Sequence, residues 1–98
     1  MNGKVDLSTV VVQSEGILAT DIEGEVVMMS IEHGTYSGLD VIGSEIWGLL
    51  ESPRRVSEIC GIMRGRYNVE QKQCEEDILT YLNDLASDNT ITVINAAG

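Results

Sequence analysis

A strand-to-helix junction at Asp40 organises this chain. Residues 34–39 are polar at alternate positions and bracketed by glycines, which indicates a short strand. Residues 41–50 place apolar side chains at helical spacing, which predicts an amphipathic helix. The Asp40 carboxylate can accept a hydrogen bond from a free N–H of the first helical turn, and its charge suits the positive end of the helix dipole. We therefore expect strands before the junction and helices after it.

Turn signals divide the rest of the chain into short elements. Runs of β-branched and alternating residues predict strands, and apolar stripes with a period near 3.6 predict helices. The run 25–31 is apolar on both faces and is expected to be central and covered on both sides, whereas 35–37 is expected at an edge. The predicted strands are 10–12, 17–22, 25–31, 35–37 and 90–94, and the predicted helices are 41–50, 56–66 and 70–86.

This order of elements predicts an α+β fold. Three helices followed by a strand are the outline of a winged helix-turn-helix, and an N-terminal three-stranded antiparallel sheet precedes them. The 98 residues suit one domain, which we place at residues 9–94. Residues 1–8 are polar and are expected to be disordered, and residues 95–98 are expected to form a flexible tail.

The formal charge of −10 limits the partners of the chain. Affinity for nucleic acid comes from Lys and Arg that displace counterions, and anionic membranes select the same residues. Neutral or basic surfaces, or a peptide held by backbone and apolar contacts, are favoured instead. The first residues lack the apolar segment of a signal peptide, and no apolar run is long enough to span a bilayer, so a cytoplasmic location is expected.

The residues that carry enzyme chemistry are sparse. His33 is the only histidine and stands in a turn before a glycine, which favours a surface position. Cys60 and Cys74 lie in predicted helices and, with one histidine, do not supply the four ligands of a zinc site. We therefore expect no catalytic residues, no metal and no cofactor.

The layout resembles the PqqD-like family of small peptide-recognition domains, which are the recognition elements of ribosomally made, modified peptides. The resemblance covers about residues 9–94 and depends most on the junction at 36–40 with Ile46 and Trp47 downstream. The family usually shows Asn at the helix start, where Asp40 offers the same capping chemistry, and Thr or Ser before the second helix, where Arg55 stands. A chain of this length is most similar to the stand-alone leader-binding protein of lasso-peptide biosynthesis. Further matching pieces are 55–59, 67–69, 74–85 and 91–93.

The resemblance implies a function. In that family the leader of a precursor peptide lies between the third strand of the sheet and the third helix, adds to the strand edge as an antiparallel strand, and is presented to a separate leader peptidase or other modifying enzyme. In this chain the resemblance places the strand edge at residues 34–38. The neighbouring strand then supplies the floor of the groove, and the third helix supplies its apolar walls and carboxylates. The implied peptide-binding residues are Met29, Ile31, Thr35, Tyr36, Ser37, Gly38, Asp77, Ile78, Tyr81, Asp84 and Leu85.

Several alternatives stay open at this stage. The third-helix residues and Tyr36 could each line the groove or belong instead to the chain's own core or surface. A winged-helix DNA-binding protein and a peptide chaperone of quinone-cofactor biosynthesis are the competing functions, although carboxylates crowd the predicted recognition helix. An exposed edge can also pair with a second copy, which would give a homodimer. A basic cluster could dock on an acidic partner enzyme or simply be solvated: Arg54, Arg55, Arg64 and Arg66.

Overall fold

The structure is a computed structural model that describes residues 4–32 and 34–95. Within them the helices and strands follow the predicted order closely, and the additional two-residue strand β5 lies where a loop was expected. The elements are β1 (Val10–Gln13), β2 (Ile17–Ile22), β3 (Glu25–Ser30), β4 (Thr35–Gly38), α1 (Val41–Leu49), β5 (Arg54–Arg55), α2 (Val56–Arg66), α3 (Gln71–Ser87) and β6 (Ile91–Asn95).

The strands of the described residues form two three-stranded antiparallel sheets in an α+β fold. One sheet has the order β2-β3-β4 and confirms the predicted N-terminal sheet; we call it the front sheet. In the other, β1 pairs with both β5 and β6, so the first and last strands of the domain are neighbours. The winged helix-turn-helix assignment stays a prediction.

The front sheet has one covered face and one open face. Its inner face carries Val26 and Met28, which are buried and lie against α1. Its outer face carries Val27 and Met29, which are only partly buried. The prediction that β3 is central is confirmed, but the prediction that both of its faces are covered is wrong, because the helices pack on one side of the sheet only.

The helices begin in different ways. Asp40 caps α1 as predicted, and its Oδ1 accepts a hydrogen bond from the Gly43 N–H at 2.7 Å. Arg55 precedes α2 and makes no side-chain cap. The first N–H groups of α2 donate instead to backbone carbonyls of the N-terminal segment: Val56 to Thr9 and Ser57 to Leu7, each at 2.9 Å. A neighbouring strand segment therefore satisfies these groups where the sequence lacks a capping residue.

Residues 4–8 correct the prediction of a disordered N-terminus. Val5 is 2% exposed and belongs to the hydrophobic core. The Asn83 side chain of α3 binds its backbone on both sides: Oδ1 accepts from the Val5 N–H and Nδ2 donates to the Val5 carbonyl, both at 3.0 Å. The polar composition of residues 1–8 does not predict this anchoring, because it depends on the single valine Val5 and on the side-chain amide of Asn83, which is distant in sequence. Residues 1–3 and 96–98 lie outside the described residues.

Asn83→Ala should therefore loosen the N-terminal segment. The change leaves the Val5 N–H and carbonyl without their partner, and we expect the free energy of unfolding to fall by about 1–3 kcal/mol. Urea denaturation followed by circular dichroism measures it. Thr80→Ala, at an exposed position of the same helix, is the matched control, and equal effects of the two changes would contradict this role of Asn83.

The core lies where α1, α2 and α3 meet the strands. Its fully buried side chains include Leu50 after α1, Ile59 of α2, Leu82 of α3 and Ile91 of β6. Because these aliphatic side chains fix α3 along one side, Ile78 and Tyr81 at the margin of that side border a cleft that also includes Gly38 at the end of β4. This placement sets up the groove described next.

Candidate peptide-binding site

Strand β4 is an open edge of the front sheet. All four of its residues are exposed, and it pairs with β3 on one side only. The Leu39 N–H donates to the Val26 carbonyl at 2.8 Å, which fixes the alternation of the ladder. In an antiparallel pair alternate residues bond to the partner strand, so Thr35 and Ser37 bond to β3. The N–H and C=O groups of Tyr36 and Gly38 therefore point outward, where a further strand would pair.

A first cleft lies between the inner face of β4 and the end of α3. Its volume is about 520 Å³, and seven of its nine lining residues are polar. Thr35 and Ser37 contribute from β4, and Met28 and Ser30 contribute from β3. The turn after α3 forms the other wall, with residues 87–90. A strand added to β4 would place every second side chain in this cleft, since alternate residues share a face.

A second and a third cleft continue toward the start of α3. The second has a volume of about 340 Å³ and is bounded by Gly38, Asp40 and Ile42 on one side and by Asp77, Ile78 and Tyr81 on the other. The third, of about 230 Å³, shares Ile42, Asp77 and Ile78 with it. Both are lined mainly by apolar side chains. The three clefts follow one another along α3, and together we call them the groove.

Tyr81 closes the bottom of the second cleft. Its hydroxyl donates to the Gly43 carbonyl at 3.0 Å, so the ring is held against the first turn of α1. Burial, and to a lesser degree the nearby Asp40 carboxylate, raise the pKa of the Tyr81 phenol far above its usual value. The phenol therefore stays protonated and keeps this hydrogen bond. A Cβ added at Gly43 would lie 3.0 Å from the Tyr81 oxygen, so glycine gives the ring its close approach.

Ser44 joins the end of β4 to α1. The Val26 N–H donates to Ser44 Oγ at 2.7 Å, and Ser44 Oγ in turn donates to the Leu39 carbonyl at 3.3 Å. The hydroxyl thus takes the place of one ladder bond at the point where β4 leaves the sheet. Ser44 is buried, which makes both bonds important for the position of the edge.

Ser44→Ala should destabilise this junction. The change leaves the buried Val26 N–H without its acceptor, and we expect a loss of about 1–3 kcal/mol in the free energy of unfolding. Thermal unfolding measures it. Ser57→Ala, at an exposed position of α2, is the control for a lost hydroxyl, and a Ser44→Ala protein as stable as that control would contradict the bridging role.

The structure brings part of the predicted set together. Thr35, Ser37 and Gly38 line one wall of the groove, while Asp77, Ile78 and Tyr81 line the other. Ile78 is also 5% exposed and part of the core, so it serves both. Asp84 is exposed on α3 between Tyr81 and Asp88, which both line the groove.

Four predicted residues lie elsewhere. Leu85 is buried in the core and is not among the residues that line the three clefts of the groove. Met29 pairs with Tyr36 and Leu18 across the front sheet, which places these side chains on the outer face, away from α3. Ile31 continues the alternation of Met29 and is exposed. The backbone of Tyr36 therefore faces a guest strand at the edge, whereas its ring lies on the outer face and outside the groove.

The floor of the groove was predicted one residue out of register. A one-residue shift moves every side chain of a strand to the other face, and the apolar run of β3 offers two similar faces. Met28 and Ser30 form the floor in place of Met29 and Ile31. The sequence reasoning treated Asp40 as a cap alone, and did not place Ile42 and Asp88 in the groove. The register in which β3 pairs with β4 determines which face of β3 meets the groove.

The four arginines do not form one patch. Arg54 and Arg55 precede α2, whereas Arg64 and Arg66 lie at its other end, about 14 Å away along the helix axis. Arg54 donates to the Leu49 carbonyl and pairs with Glu58, and Arg55 donates to the Ser8 carbonyl. Arg66 pairs with Glu45, whose other oxygen accepts a hydrogen bond from Tyr67. Arg64 is exposed on α2.

The potentially reactive side chains of the described residues show no sign of activation. Burial raises the pKa of the Cys60 thiol to about 11, and Cys74 beside it is shifted in the same direction by burial. Both are therefore weak nucleophiles at neutral pH. Within residues 4–32 and 34–95 there is no group of His, Cys, Asp and Glu that could hold a metal ion, and no helix long and apolar enough to cross a membrane. His33 lies outside the described residues.

Comparisons with known proteins agree with this geometry. A family profile described as "Coenzyme PQQ synthesis protein D (PqqD)" matches residues 25–91. A solved structure described as "TbiB1 in Complex with the TbiA(beta) Leader Peptide" is similar with a TM-score of 0.78 and 33% sequence identity. The match covers 89% of this chain and 99% of TbiB1. The comparison with curated proteins finds no match.

Proposed function

We propose a function for the chain, which belongs to the PqqD family and is a PqqD-like recognition element of ribosomally made, modified peptides. The proposed function is to capture the leader of a precursor peptide by strand addition. In this proposal the leader pairs with the outward N–H and C=O groups of Tyr36 and Gly38. Its alternate side chains enter the groove between β4 and α3. The protein then hands the leader to a separate leader peptidase or other modifying enzyme, as in lasso-peptide biosynthesis.

The observation that carries the proposal is the open edge of β4 beside the groove. Main-chain pairing supplies affinity for any extended peptide, and pockets for alternate side chains supply selectivity. Both parts are present and adjacent here, since Ser37 and Gly38 of the edge also line the first and second clefts. The likeness to TbiB1 supports the peptide as guest, because that structure holds a leader peptide.

Fluorescence anisotropy tests the proposal. The probe is the labelled leader of the short precursor encoded beside the gene of this chain, and a scrambled peptide of the same composition is the control. We expect saturable binding of the true leader alone. A folded protein that binds neither peptide at tens of micromolar, or that binds both equally, would contradict the proposal.

Delivery to an enzyme calls for a second surface, and Arg64 is the basic residue best placed for it. We propose that Arg64 contacts an acidic patch of the modifying enzyme, since Arg54, Arg55 and Arg66 already bind groups of their own chain. Arg64→Glu should weaken assembly with the enzyme several-fold and leave leader binding unchanged. Unchanged assembly would count against this surface, and Arg54→Glu is a poor test because it would also disturb the loop that ends α1.

A homodimer is the competing occupant of the same edge. Two copies of β4 could pair antiparallel, and the leader would then have to displace the partner copy. Sedimentation velocity with and without leader separates the two, because strand capture predicts a monomer in both samples at micromolar concentration. A dimer that dissociates on addition of leader would show that the edge has two occupants.

A further inference from the structure

The wall of the groove formed by α3 carries a stripe of carboxylates. Asp77, Asp84 and Asp88, the C-cap residue of α3, are seven and four positions apart, which places them within about 40° of one another around the helix axis. Tyr81 stands between them on the same side. Asp77 and Tyr81 line the second cleft and Asp88 lines the first, so the stripe faces β4.

The opposite wall of the second cleft is also negative. Asp40 lines it, and one oxygen of its carboxylate accepts the capping bond from Gly43. A Cβ added at Gly43 would lie 3.0 Å from the Tyr81 oxygen and 3.1 Å from Asp40 Oδ1, so the carboxylate and the phenol meet at the same point of the cleft. Asp40 and Asp77 therefore flank one largely apolar cleft from its two sides.

The described residues form no ion pair with a groove aspartate. Their ion pairs join Arg54 to Glu58 and Arg66 to Glu45, and neither pair includes a groove aspartate. Asp77 accepts a hydrogen bond from the neutral amide of Gln73 at 2.8 Å. The sequence adds to this excess of negative charge, since between Lys4 and Arg54 it has nine Asp and Glu residues and neither Lys nor Arg.

The charges of these carboxylates act on any extended peptide that enters the groove. Pairing with the β4 backbone is nearly indifferent to sequence, and an apolar cleft distinguishes size and shape rather than charge. Several carboxylates along one groove attract cationic side chains and repel anionic ones. Charge complementarity therefore adds a selection that the edge and the apolar cleft do not provide.

We infer that the guest of this groove is an extended segment with Lys or Arg side chains on the face that meets α3, on either side of an apolar residue seated in the second cleft. The inference rests on the proposed function and names the class of sequence that the site reads. Asp77 and Asp84 are about 10 Å apart along α3, and Asp84 and Asp88 about 6 Å. Same-face residues of a strand repeat every 6.6–6.8 Å or so, so the basic residues should stand two or four positions apart.

A displayed library of random short peptides, selected on the full chain, tests the inference. We expect the selected peptides to be enriched in Lys and Arg over the input library, at positions two or four apart. A selected peptide should bind Asp77→Asn/Asp84→Asn about 3–10-fold more weakly than the unchanged protein. The matched control is Glu75→Gln/Glu76→Gln, which removes two charges about 160° and 100° around the helix axis from Asp77, outside the groove, and should leave binding unchanged.

The outcomes separate the inference from the proposed function. Selected peptides without basic enrichment that still depend on the β4 edge would overturn the inference and leave strand capture standing. Equal weakening by the two double variants would overturn it as well, because the effect would then come from net charge alone. Binding that survives blocking of the β4 edge, or a selection that enriches nothing, would count against strand capture itself.

Discussion

Tyr36→Pro should weaken leader binding by about 10–100-fold while the protein stays folded. The proline removes the N–H that points outward from β4, and its ring occupies the space of a paired guest strand. One lost backbone hydrogen bond and the accompanying misfit cost about 1–3 kcal/mol, which corresponds to that change in Kd. The β3–β4 ladder keeps its bonds, since Thr35 and Ser37 make them. Anisotropy with the labelled leader measures the effect.

Two matched variants isolate the backbone of β4. Tyr36→Ala removes the same side chain but keeps the N–H, and we expect it to bind nearly as well because the ring lies on the outer face. Ala19→Pro removes an outward N–H from β2, the other edge of the front sheet, since the Ile31 N–H bond to the Gly16 carbonyl sets the alternation there. It should leave binding unchanged. Weakening by Tyr36→Ala as large as that by Tyr36→Pro would assign the effect to the ring.

Leu82→Ala should give the largest loss of stability. Leu82 is fully buried on the side of α3 that faces the core, and its truncation removes apolar contacts and leaves a cavity. Such changes cost about 2–5 kcal/mol, which for a domain of this size lowers Tm by about 10–30 °C. Calorimetry of the purified protein measures it.

The control for Leu82→Ala is a change on the opposite side of the same helix. Thr80→Ala lies at an exposed position and should move Tm by a few degrees at most. The comparison also tests the orientation of α3, on which the groove depends. Similar values of Tm for the two variants would mean that α3 does not present Leu82 to the core.

The junction at Asp40 was predictable because its signals are local. Capping chemistry, the glycine bracket of 34–38 and helical spacing all act within a few residues, and the helix bounds of α2 match the predicted 56–66. The family resemblance rested on the same stretch, and the match over 25–91 confirms it. The edge position of β4 followed from its short, polar, glycine-flanked sequence.

The features of the fold and the groove that were not predicted depend on contacts between residues that are distant in sequence. The face of β3 that meets the groove depends on its register with β4, which apolar residues on both faces do not specify. The pairing of β1 with β5 and β6 and the anchoring of Val5 by Asn83 join residues from opposite ends of the chain. Leu85 and Tyr81 both belong to the apolar face of α3, and only the packing shows that one is core and the other groove.

Amide hydrogen exchange with and without the leader tests strand capture most directly. Binding at the β4 edge should slow exchange of the outward N–H groups of Tyr36 and Gly38, because each gains a hydrogen bond and loses contact with water. The amides of Ile17, Ala19 and Asp21, which point outward from β2, should exchange at unchanged rates. Protection confined to β2, or saturating binding without protection of Tyr36 and Gly38, would contradict the account.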